Sequence, residues 1–394
     1  MPNSPLTPST RLRSGLVRDV IPMGGDVWDS VGPAWRGLFD ATSESSAFLS
    51  PSWVETWLEC FGVRAGAWAI VWRDGGGEPV GCLVLAPEVG RAGPFRVTRT
   101  HLNTPGFAVM PEHNDVLTRP EHRAAVLDDV VELLLDTGTD ECMMDGVRDE
   151  LFNELRSRWP GLASGSVRSE SPYVDLARVR AAGGGYLGVL SSNTRSQIRR
   201  SMRLYARRYG DLVLEVAQGA DQTLQWLADL VDLHEAVWQA RGEGGAFGPD
   251  ARRFHERLIE RGRAERTDGG GDLEIEIARV RAGDHTIGML YHLVCRGRVH
   301  FLQSGFRYEE DARLKPGLVS HCMSIEACLE RGLAEYDFLG GEPRSVRYKR
   351  SLSTDARKLY WAQLPAPSVK MRVLEILRQS KHRFRVGGRA TDEL

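Results

Sequence analysis

The chain has 394 residues, enough for two domains that each bury a hydrophobic core. Its 42% hydrophobic and 26% charged content is typical of a soluble globular protein, and a formal net charge of −2 argues against a DNA-binding protein. No apolar run is as long as a membrane span, no signal-peptide pattern opens the sequence, and the six cysteines lack metal-ligand spacing. A cytoplasmic protein with no bound metal is therefore expected.

The first half, residues 26–180, predicts a set of strands and helices behind a flexible leader at 1–25 that is rich in Pro, Ser and Arg. Ser50 before Pro51 is typical of a helix start, and Asp74-Gly-Gly-Gly77 is typical of a hairpin turn. In chain order, the patterns predict helices at 28–39, 51–61 and 123–136 and strands at 67–72, 79–86, 141–146 and 173–176.

The second half, residues 186–366, follows a glycine run and predicts its own strands and helices. A helix at 192–209 carries six arginines, and Gly332 is placed to end another helix. The remaining patterns predict helices at 223–241, 250–261 and 318–331 and strands at 212–216, 273–279, 286–295, 298–303, 334–339 and 358–364. Residues 367–394 predict a basic C-terminal helix, from about 368 to 384, and a tail.

The two halves share a strand-turn-strand pattern. Residues 69–75 and 80–85 read Ala-Ile-Val-Trp-Arg-Asp-Gly and Val-Gly-Cys-Leu-Val-Leu, and residues 277–283 and 287–291 repeat this pattern with glycine again second in the returning strand. Helices precede each unit, and a strand, a helix and a strand follow it. This order predicts a duplicated α/β module.

The most informative segment runs from Leu302 to Lys349. An apolar strand leads through the cationic turn at residues 313–317, Arg-Leu-Lys-Pro-Gly, into a helix. Unpaired backbone N–H groups in the first turn of a helix can hold a diphosphate, so this turn is a candidate anion site. The next strand, residues 334–339, is followed by Tyr348-Lys349, which the sequence places near the end of that strand.

The chain resembles tandem members of the Gcn5-related N-acetyltransferase (GNAT) superfamily, and most closely the CelD-like branch, which is related to the Fem aminoacyl-tRNA-dependent ligases. The order and spacing of several short pieces carry this resemblance. They are residues 48–53, the Gly81 hairpin, Asn193-Thr-Arg195 with Arg199-Arg200, residues 234–241, Ser304-Gly-Phe306, residues 313–317, and residues 332–337 followed by Tyr348-Lys349.

The resemblance implies an α/β (α+β) fold of two GNAT-like halves, each a mixed, mostly antiparallel sheet flanked by helices. It implies that the second half binds the acyl donor, which is acetyl-CoA or another acyl-CoA in the superfamily. The usual pyrophosphate loop, Arg/Gln-x-x-Gly-x-Gly/Ala, is replaced here by residues 313–317 with a single glycine. Fem ligases share this departure, so aminoacyl-tRNA stays open as the donor.

The fourth and fifth strands of this fold diverge and hold the donor between them. The resemblance places Gln303 and Ser304 at this point of divergence. Arg313 and Lys315 could bind the donor's phosphates, although solvated turn cations are the alternative. The helix start adds Gly317, Leu318 and, through its hydroxyl group, Ser320.

Acyl transfer to an amine needs a group that stabilises the oxyanion, a base for the amine proton and an acid for the leaving group. Lys349 is the candidate for the first role and Tyr348 for the third, or both could pack at a strand edge. Asp337 is a candidate base or orienting group. His234 and His292 are further candidate bases, although a buried structural histidine is the usual alternative.

The sequence gives the least information about the acceptor site. Trp238 and Arg241 follow His234 at helical spacing, so the three side chains can line one cleft. Arg199 belongs to the arginine-rich helix, which is either a solvated face or an anion site. We expect an N-acyltransferase that acts on an amine of a small molecule or an envelope or sugar precursor. A Fem-type ligase and an inactive scaffold are the alternatives.

Overall fold

The computed structural model describes residues 9–24, 27–42, 45–106, 110–161, 164–239, 242, 245–267, 271–340 and 343–387. Its strands join into one fourteen-stranded sheet, in the order β1-β2-β3-β4-β5-β7-β14-β8-β13-β12-β11-β10-β9, with β6 paired to β4. The strands of the first half are β1 (Ser9–Arg11), β2 (Val17–Pro22), β3 (Trp68–Arg73), β4 (Pro79–Ala92), β5 (Phe95–Leu102), β6 (Leu117–Thr118), β7 (Glu141–Arg148) and β8 (Ser164–Asp175). Those of the second half are β9 (Leu212–Val216), β10 (Glu274–Ala282), β11 (His285–Cys295), β12 (Arg298–Phe306), β13 (Glu335–Asp337) and β14 (Asp355–Pro365).

Helices cover both faces of this sheet. In the first half they are α1 (Val27–Ala41), α2 (Pro51–Trp57), α3 (Val63–Ala65), α4 (Arg123–Asp136) and α5 (Asp149–Arg158), and a π-helical turn, Leu58–Gly62, joins α2 to α3. In the second half they are α6 (Leu176–Ala182), α7 (Gly185–Val189), α8 (Ser192–Tyr209), α9 (Gly219–Gln239), α10 (Pro249–Thr267), α11 (Pro316–Glu330), α12 (Pro343–Leu352) and α13 (Val369–Gly387).

The duplication that the hairpins predicted is present in the sheet. Strands β3, β4 and β5 form an antiparallel meander, and β7 joins its edge in parallel after helix α4. Strands β10, β11 and β12 form the same meander, and β13 joins in parallel after α11. A parallel neighbour needs a crossover, which the helix between the strands supplies in each half. The predicted mixed, mostly antiparallel α/β fold is confirmed.

Each half is completed by the last strand of the other half. Strand β8, at the end of the first half, pairs with β13 of the second half. Strand β14, at the end of the second half, pairs with β7 of the first half and also with β8. The two halves therefore share a continuous sheet, and a boundary at residue 180 does not separate two independent sheets.

Three expectations about the elements are corrected by the structure. Described residues 9–24 do not form a loose leader, because β2 pairs along its length with β3. Strand β5 and helix α5 lie where the sequence patterns predicted no element. Tyr348 and Lys349 lie on helix α12 and not at the end of a strand.

Candidate functional site

Strands β12 and β13 diverge after a short stretch of pairing. Only Arg298 to His300 of β12 pair with Glu335 to Asp337 of β13. A bulge at Leu302 then shifts the register of β12 against β11. Within the described residues, the edge of β12 beyond His300 has no strand partner on the β13 side. Side chains hold both backbone groups of Ser304 there: its N–H donates to Gln303 Oε1 and its C=O lies 2.9 Å from His234 Nδ1. An extended ligand that pairs with this edge would therefore take the place of these side-chain contacts. Gln303 and Ser304 lie on this open edge, and their role in donor binding stays a prediction.

The corresponding divergence in the first half is filled by the chain itself. Asn114 forms a parallel bridge with Val147 of β7, and its side-chain amide donates to Leu102 O at the end of β5, 3.0 Å away. Asn103 donates to the Asn114 side-chain oxygen over 2.8 Å. The open divergence is therefore that of the second half, the half in which the resemblance implies a donor site.

The segment that fills the divergence of the first half also places two side chains in contact with the second half. His113 Nε2 lies 3.1 Å from Asp337 Oδ2, and Glu112 accepts a hydrogen bond from Gly340 N over 2.5 Å. Both His113 and Leu339 have positive φ, 52° and 56°, which is uncommon for residues other than glycine. Two strained backbone positions therefore meet where the halves join, as often occurs at functional sites.

Asp337 is the centre of this cluster. Its carboxylate accepts hydrogen bonds from the Ser171 hydroxyl at 2.6 Å and from Leu339 N at 2.7 Å, and it pairs with Arg357 at 3.2 Å. Burial alone would raise the pKa of Asp337, but its interactions with His113 and His300 and the hydrogen bond from Ser171 hold it well below its usual value. A carboxylate with so low a pKa is a poor base, and its contacts are those of a group that orients His113.

Lys349 enters the same cluster from helix α12. Its ammonium donates to Leu339 O over 3.1 Å and also to Gly340 O, and it lies 5.8 Å from the centre of the Phe301 ring beside the divergence. Gly340 thus lies between the ammonium of Lys349 and the carboxylate of Glu112. Burial lowers the pKa of Lys349 and raises that of Glu112.

Tyr348, the neighbour of Lys349 on α12, contacts helix α11. Its hydroxyl lies 3.4 Å from His321 Nε2 on α11. Burial raises its pKa, so the phenol holds its proton, as the predicted acid role requires.

The two histidines that the sequence predicted as bases, His234 and His292, do not join the Asp337 cluster. His292 is buried beneath α11, its Nε2 lies 2.9 Å from the Tyr336 hydroxyl, and burial lowers its pKa to about 4. His234 lies on α9, with Nδ1 2.9 Å from Ser304 O and Nε2 3.3 Å from Ala246 N. Its two ring nitrogens are thus engaged, which is the arrangement of a structural histidine. Both histidines remain candidates by sequence, but neither presents a free nitrogen to the cluster.

The acceptor residues are placed only in part. The rings of Trp238 and His234 are 5.8 Å apart, as their helical spacing predicted, whereas Arg241 lies outside the described residues. Arg199 is exposed on α8, a helix that contains no acidic residue. Neither Arg199 nor Trp238 joins the Asp337 cluster.

The cationic turn lies at the start of α11. Arg313 is exposed and pairs with Asp311 through two nitrogens, at 2.9 and 2.8 Å, while Lys315 N donates to the Ser201 hydroxyl of α8. Gly317 and Leu318 are half-buried in the first turn. A phosphate at this turn would have to compete with Asp311 for Arg313.

Ser320 does not fit the predicted hydroxyl contact. Its side chain is fully buried, and its Oγ has no hydrogen-bond partner within the described structure. It faces Gly288 of β11, where a Cβ would lie 3.0 Å from that oxygen. A ligand at the surface of α11 cannot reach it without rearrangement.

Four residues of the Asp337 cluster were not predicted as site residues from the sequence. Glu112 and His113 come from the polar run Pro111-Glu-His-Asn-Asp115, which was the one local signal for them. Ser171 and Arg357 belong to the exchanged strands β8 and β14. Only the pairing of those strands brings them to Asp337.

Neither a metal site nor a membrane span is found in the described part of the chain. No group of three or more His, Cys, Asp or Glu side chains there is arranged to hold a metal ion. Likewise, none of the helices searched there combines the length and apolarity that crossing a bilayer requires.

The comparisons with known proteins agree with this architecture. Residues 192–350 match the family model described as Acetyltransferase (GNAT) domain. A conserved protein of unknown function from Bacteroides thetaiotaomicron has a TM-score of 0.51 at 10% identity, with 85% of this chain and 97% of that chain covered. L-PGS from Bacillus licheniformis has a TM-score of 0.51 at 10% identity, with 89% and 96% covered.

A tandem GNAT protein from the clavulanic acid biosynthesis pathway has a TM-score of 0.48 at 15% identity, with 89% of this chain and 99% of that chain covered. No curated protein matches the sequence significantly.

Proposed function

We propose that the protein is an N-acyltransferase that moves an acetyl or other acyl group from acyl-CoA to an amine, because residues 192–350 match the GNAT acetyltransferase domain model and the fold is tandem. The observation that supports this most is the open divergence of β12 and β13 beside the Asp337 cluster. The first half has filled its own divergence and contributes Glu112 and His113 instead. Because of this asymmetry, we assign the donor to the open divergence of the second half and the acceptor to the side of the first half.

The proposed reaction assigns one task to each group. The amine nitrogen attacks the thioester carbonyl carbon, the C–S bond breaks, and the carbonyl oxygen carries negative charge in between. His113, oriented by Asp337, takes the amine proton. The Lys349 ammonium stabilises the oxyanion, and Tyr348 protonates the thiolate of CoA.

Binding of the donor tests the proposal directly. We expect calorimetry to detect acetyl-CoA and CoA binding, and the double variant Arg313→Ala with Lys315→Ala to weaken it roughly tenfold, about 1.4 kcal/mol. The double variant Arg91→Ala with Lys358→Ala removes the same charge from exposed sites on β4 and β14 and should bind normally. Absence of binding by the wild type would reject acyl-CoA as the donor, and equal binding by both double variants would reject the phosphate role of the turn.

The acceptor is an amine of a small molecule, such as an amino sugar or an envelope precursor. It would approach from the side of the first half, where Glu112 and the carboxylate of Asp337 can attract an ammonium group before it loses its proton. We place the reaction in the cytoplasm, where acyl-CoA is formed. A panel of amines, with release of CoA as the signal, would identify the acceptor class.

A second candidate, a Fem-type aminoacyl-tRNA-dependent ligase, is favoured by helix α8. Four of its arginines, at positions 199, 200, 203 and 207, are exposed and have no acidic partner among the described residues. For such a ligase, we expect a salt-sensitive gel shift with charged tRNA. The double variant Arg199→Ala with Arg203→Ala should then reduce the slope of log K against log salt by about 2. An unchanged gel shift in this variant, or none in the wild type at low salt, would remove the ligase and leave acyl-CoA or an inactive scaffold.

A further inference from the structure

Four polar side chains from four elements of the second half form a buried hydrogen-bonded chain. The Tyr348 hydroxyl of α12 lies 3.4 Å from Nε2 of His321 on α11. Nδ1 of His321 lies 3.0 Å from the Tyr336 hydroxyl of β13. That same hydroxyl lies 2.9 Å from Nε2 of His292 on β11. Each intervening histidine or tyrosine is contacted on both sides, so the chain is continuous from α12 to β11.

The surroundings of this chain are apolar. Tyr336 and His321 are fully buried, and His292 is nearly so, among side chains such as Phe301 and Phe338. Burial lowers the pKa of both histidines, that of His321 well below its usual value, so both rings are neutral. Polar groups are expensive to bury in an apolar region unless they are paired, and a single tyrosine hydroxyl would need only one partner.

The Tyr336 hydroxyl also has a hydrogen bond to the Ser324 side chain. With Ser324 as the donor in that bond, the chain of four residues has two hydrogen-bond arrangements. A neutral imidazole carries one N–H, and the Tyr336 hydroxyl carries one proton, which it can give to only one of its two histidines. In one arrangement Tyr336 donates to His321 Nδ1, so His321 Nε2–H donates to Tyr348 and the Tyr348 proton is free to point away. In the other, Tyr336 donates to His292 Nε2, so His321 Nε2 accepts from Tyr348.

The two ends of the chain lie in different environments. Tyr348 is half-buried on α12, the helix that also places Lys349 beside the divergence. At the other end, His292 of β11 is paired across the sheet with Glu276 of β10. Glu276 binds the partly exposed Arg331 over 2.5 Å, so this end leads towards solvent.

We infer that Tyr348, His321, Tyr336 and His292 form a proton relay that resupplies Tyr348 after it has protonated the leaving group. The inference rests on the proposed acyl transfer. The Tyr348 proton goes to the CoA sulfur, His321 Nε2–H passes to Tyr348, Tyr336 passes its proton to His321 Nδ1, and His292 Nε2–H passes to Tyr336. One proton from water enters at His292 Nδ1, so both rings end neutral and the chain moves from the first arrangement to the second.

The Tyr336→Phe variant breaks the relay without changing the shape of the side chain. The full-length protein is assayed with acetyl-CoA and the amine that gives the fastest CoA release. We expect kcat to fall roughly 10- to 100-fold, with the KM for acetyl-CoA within about twofold and a changed solvent isotope effect on kcat. A structural role alone would not alter the isotope effect.

Tyr291→Phe is the matched control. Tyr291 is also a buried tyrosine with a histidine partner, His255 at 3.0 Å, but it lies on β11 outside the relay, and the variant should keep the wild-type kcat and isotope effect. If Tyr336→Phe does not fold, His292→Gln replaces it, because glutamine can hydrogen-bond the Tyr336 hydroxyl but cannot relay a proton. Wild-type kcat and isotope effect in the relay variant would overturn the relay, whereas a wild type that releases no CoA with any amine would overturn the proposed function itself.

Discussion

Replacing Asp337 by asparagine is expected to lower CoA release roughly 100-fold and the free energy of unfolding by about 3 kcal/mol. The carboxylate is buried and balances the charge of Arg357 and of His113 when that ring takes a proton. Without it, the imidazolium that forms during the reaction has no counter-charge, and the guanidinium of Arg357 loses one of its two partners. The activity loss should appear in kcat and the stability loss in urea unfolding.

The pH dependence of stability gives this prediction a second signature. The pKa of Asp337 is held below its usual value in the folded protein, so the carboxylate stabilises the fold above the unfolded pKa of 3.8 and loses this effect as the pH falls towards the folded pKa. Below about pH 4, the free energy of unfolding of the wild type should therefore fall more steeply than that of Asp337→Asn, by up to about 1.4 kcal/mol per pH unit.

Glu335→Gln provides the comparison for Asp337→Asn. Glu335 lies on the same strand and binds the same Arg357, but has no contact with His113. It should keep kcat within about threefold if the pairing of Asp337 with His113 is what matters. Equal losses of activity in the two variants would show that the site depends on Arg357 and not on a histidine held by Asp337.

Much of the local structure could be predicted because it depends on local signals. Helices α4 and α8 have the predicted limits, and Gly332, with φ of 77°, follows the last residues of α11 as the C′ glycine. The duplication was visible because each hairpin carries its own turn and strand pattern. Such features need no knowledge of which strand lies beside which.

The candidate site depends on pairings between distant residues. Ser171 and Arg357 reach Asp337 because β8 and β14 are exchanged between the halves, and no periodicity encodes that exchange. His113 reaches it because its segment fills the divergence of the first half. Helix α12 did carry a local signal, because Pro343 is its first residue and proline is favoured at that position. The sequence pattern instead placed Tyr348 near the end of a strand.

Gly305 should be among the least replaceable residues of the second half. It lies on β12 where α9 crosses the strand, and a Cβ there would lie 2.5 Å from Leu230 O and 2.7 Å from Leu233 Cβ. Because the carbonyl oxygen of Leu230 cannot move independently of its helix, Gly305→Ala must push α9 away from the sheet. We expect the free energy of unfolding to fall by about 1–3 kcal/mol.

The same displacement should reach the open edge of β12. His234 of α9 holds Ser304 O at 2.9 Å, so moving the helix breaks this bond and shifts the strand beside the donor site. We therefore expect acetyl-CoA to bind Gly305→Ala more weakly even where the variant remains folded. Gly37→Ala on α1, where a Cβ meets nothing within 4 Å, should instead stabilise the protein by about 0.5–1 kcal/mol and leave binding unchanged. If Gly305→Ala and Gly37→Ala had the same small effect on stability and binding, α9 would not pack closely on β12. The packing of α9 would then not be what holds β12 in place at the divergence.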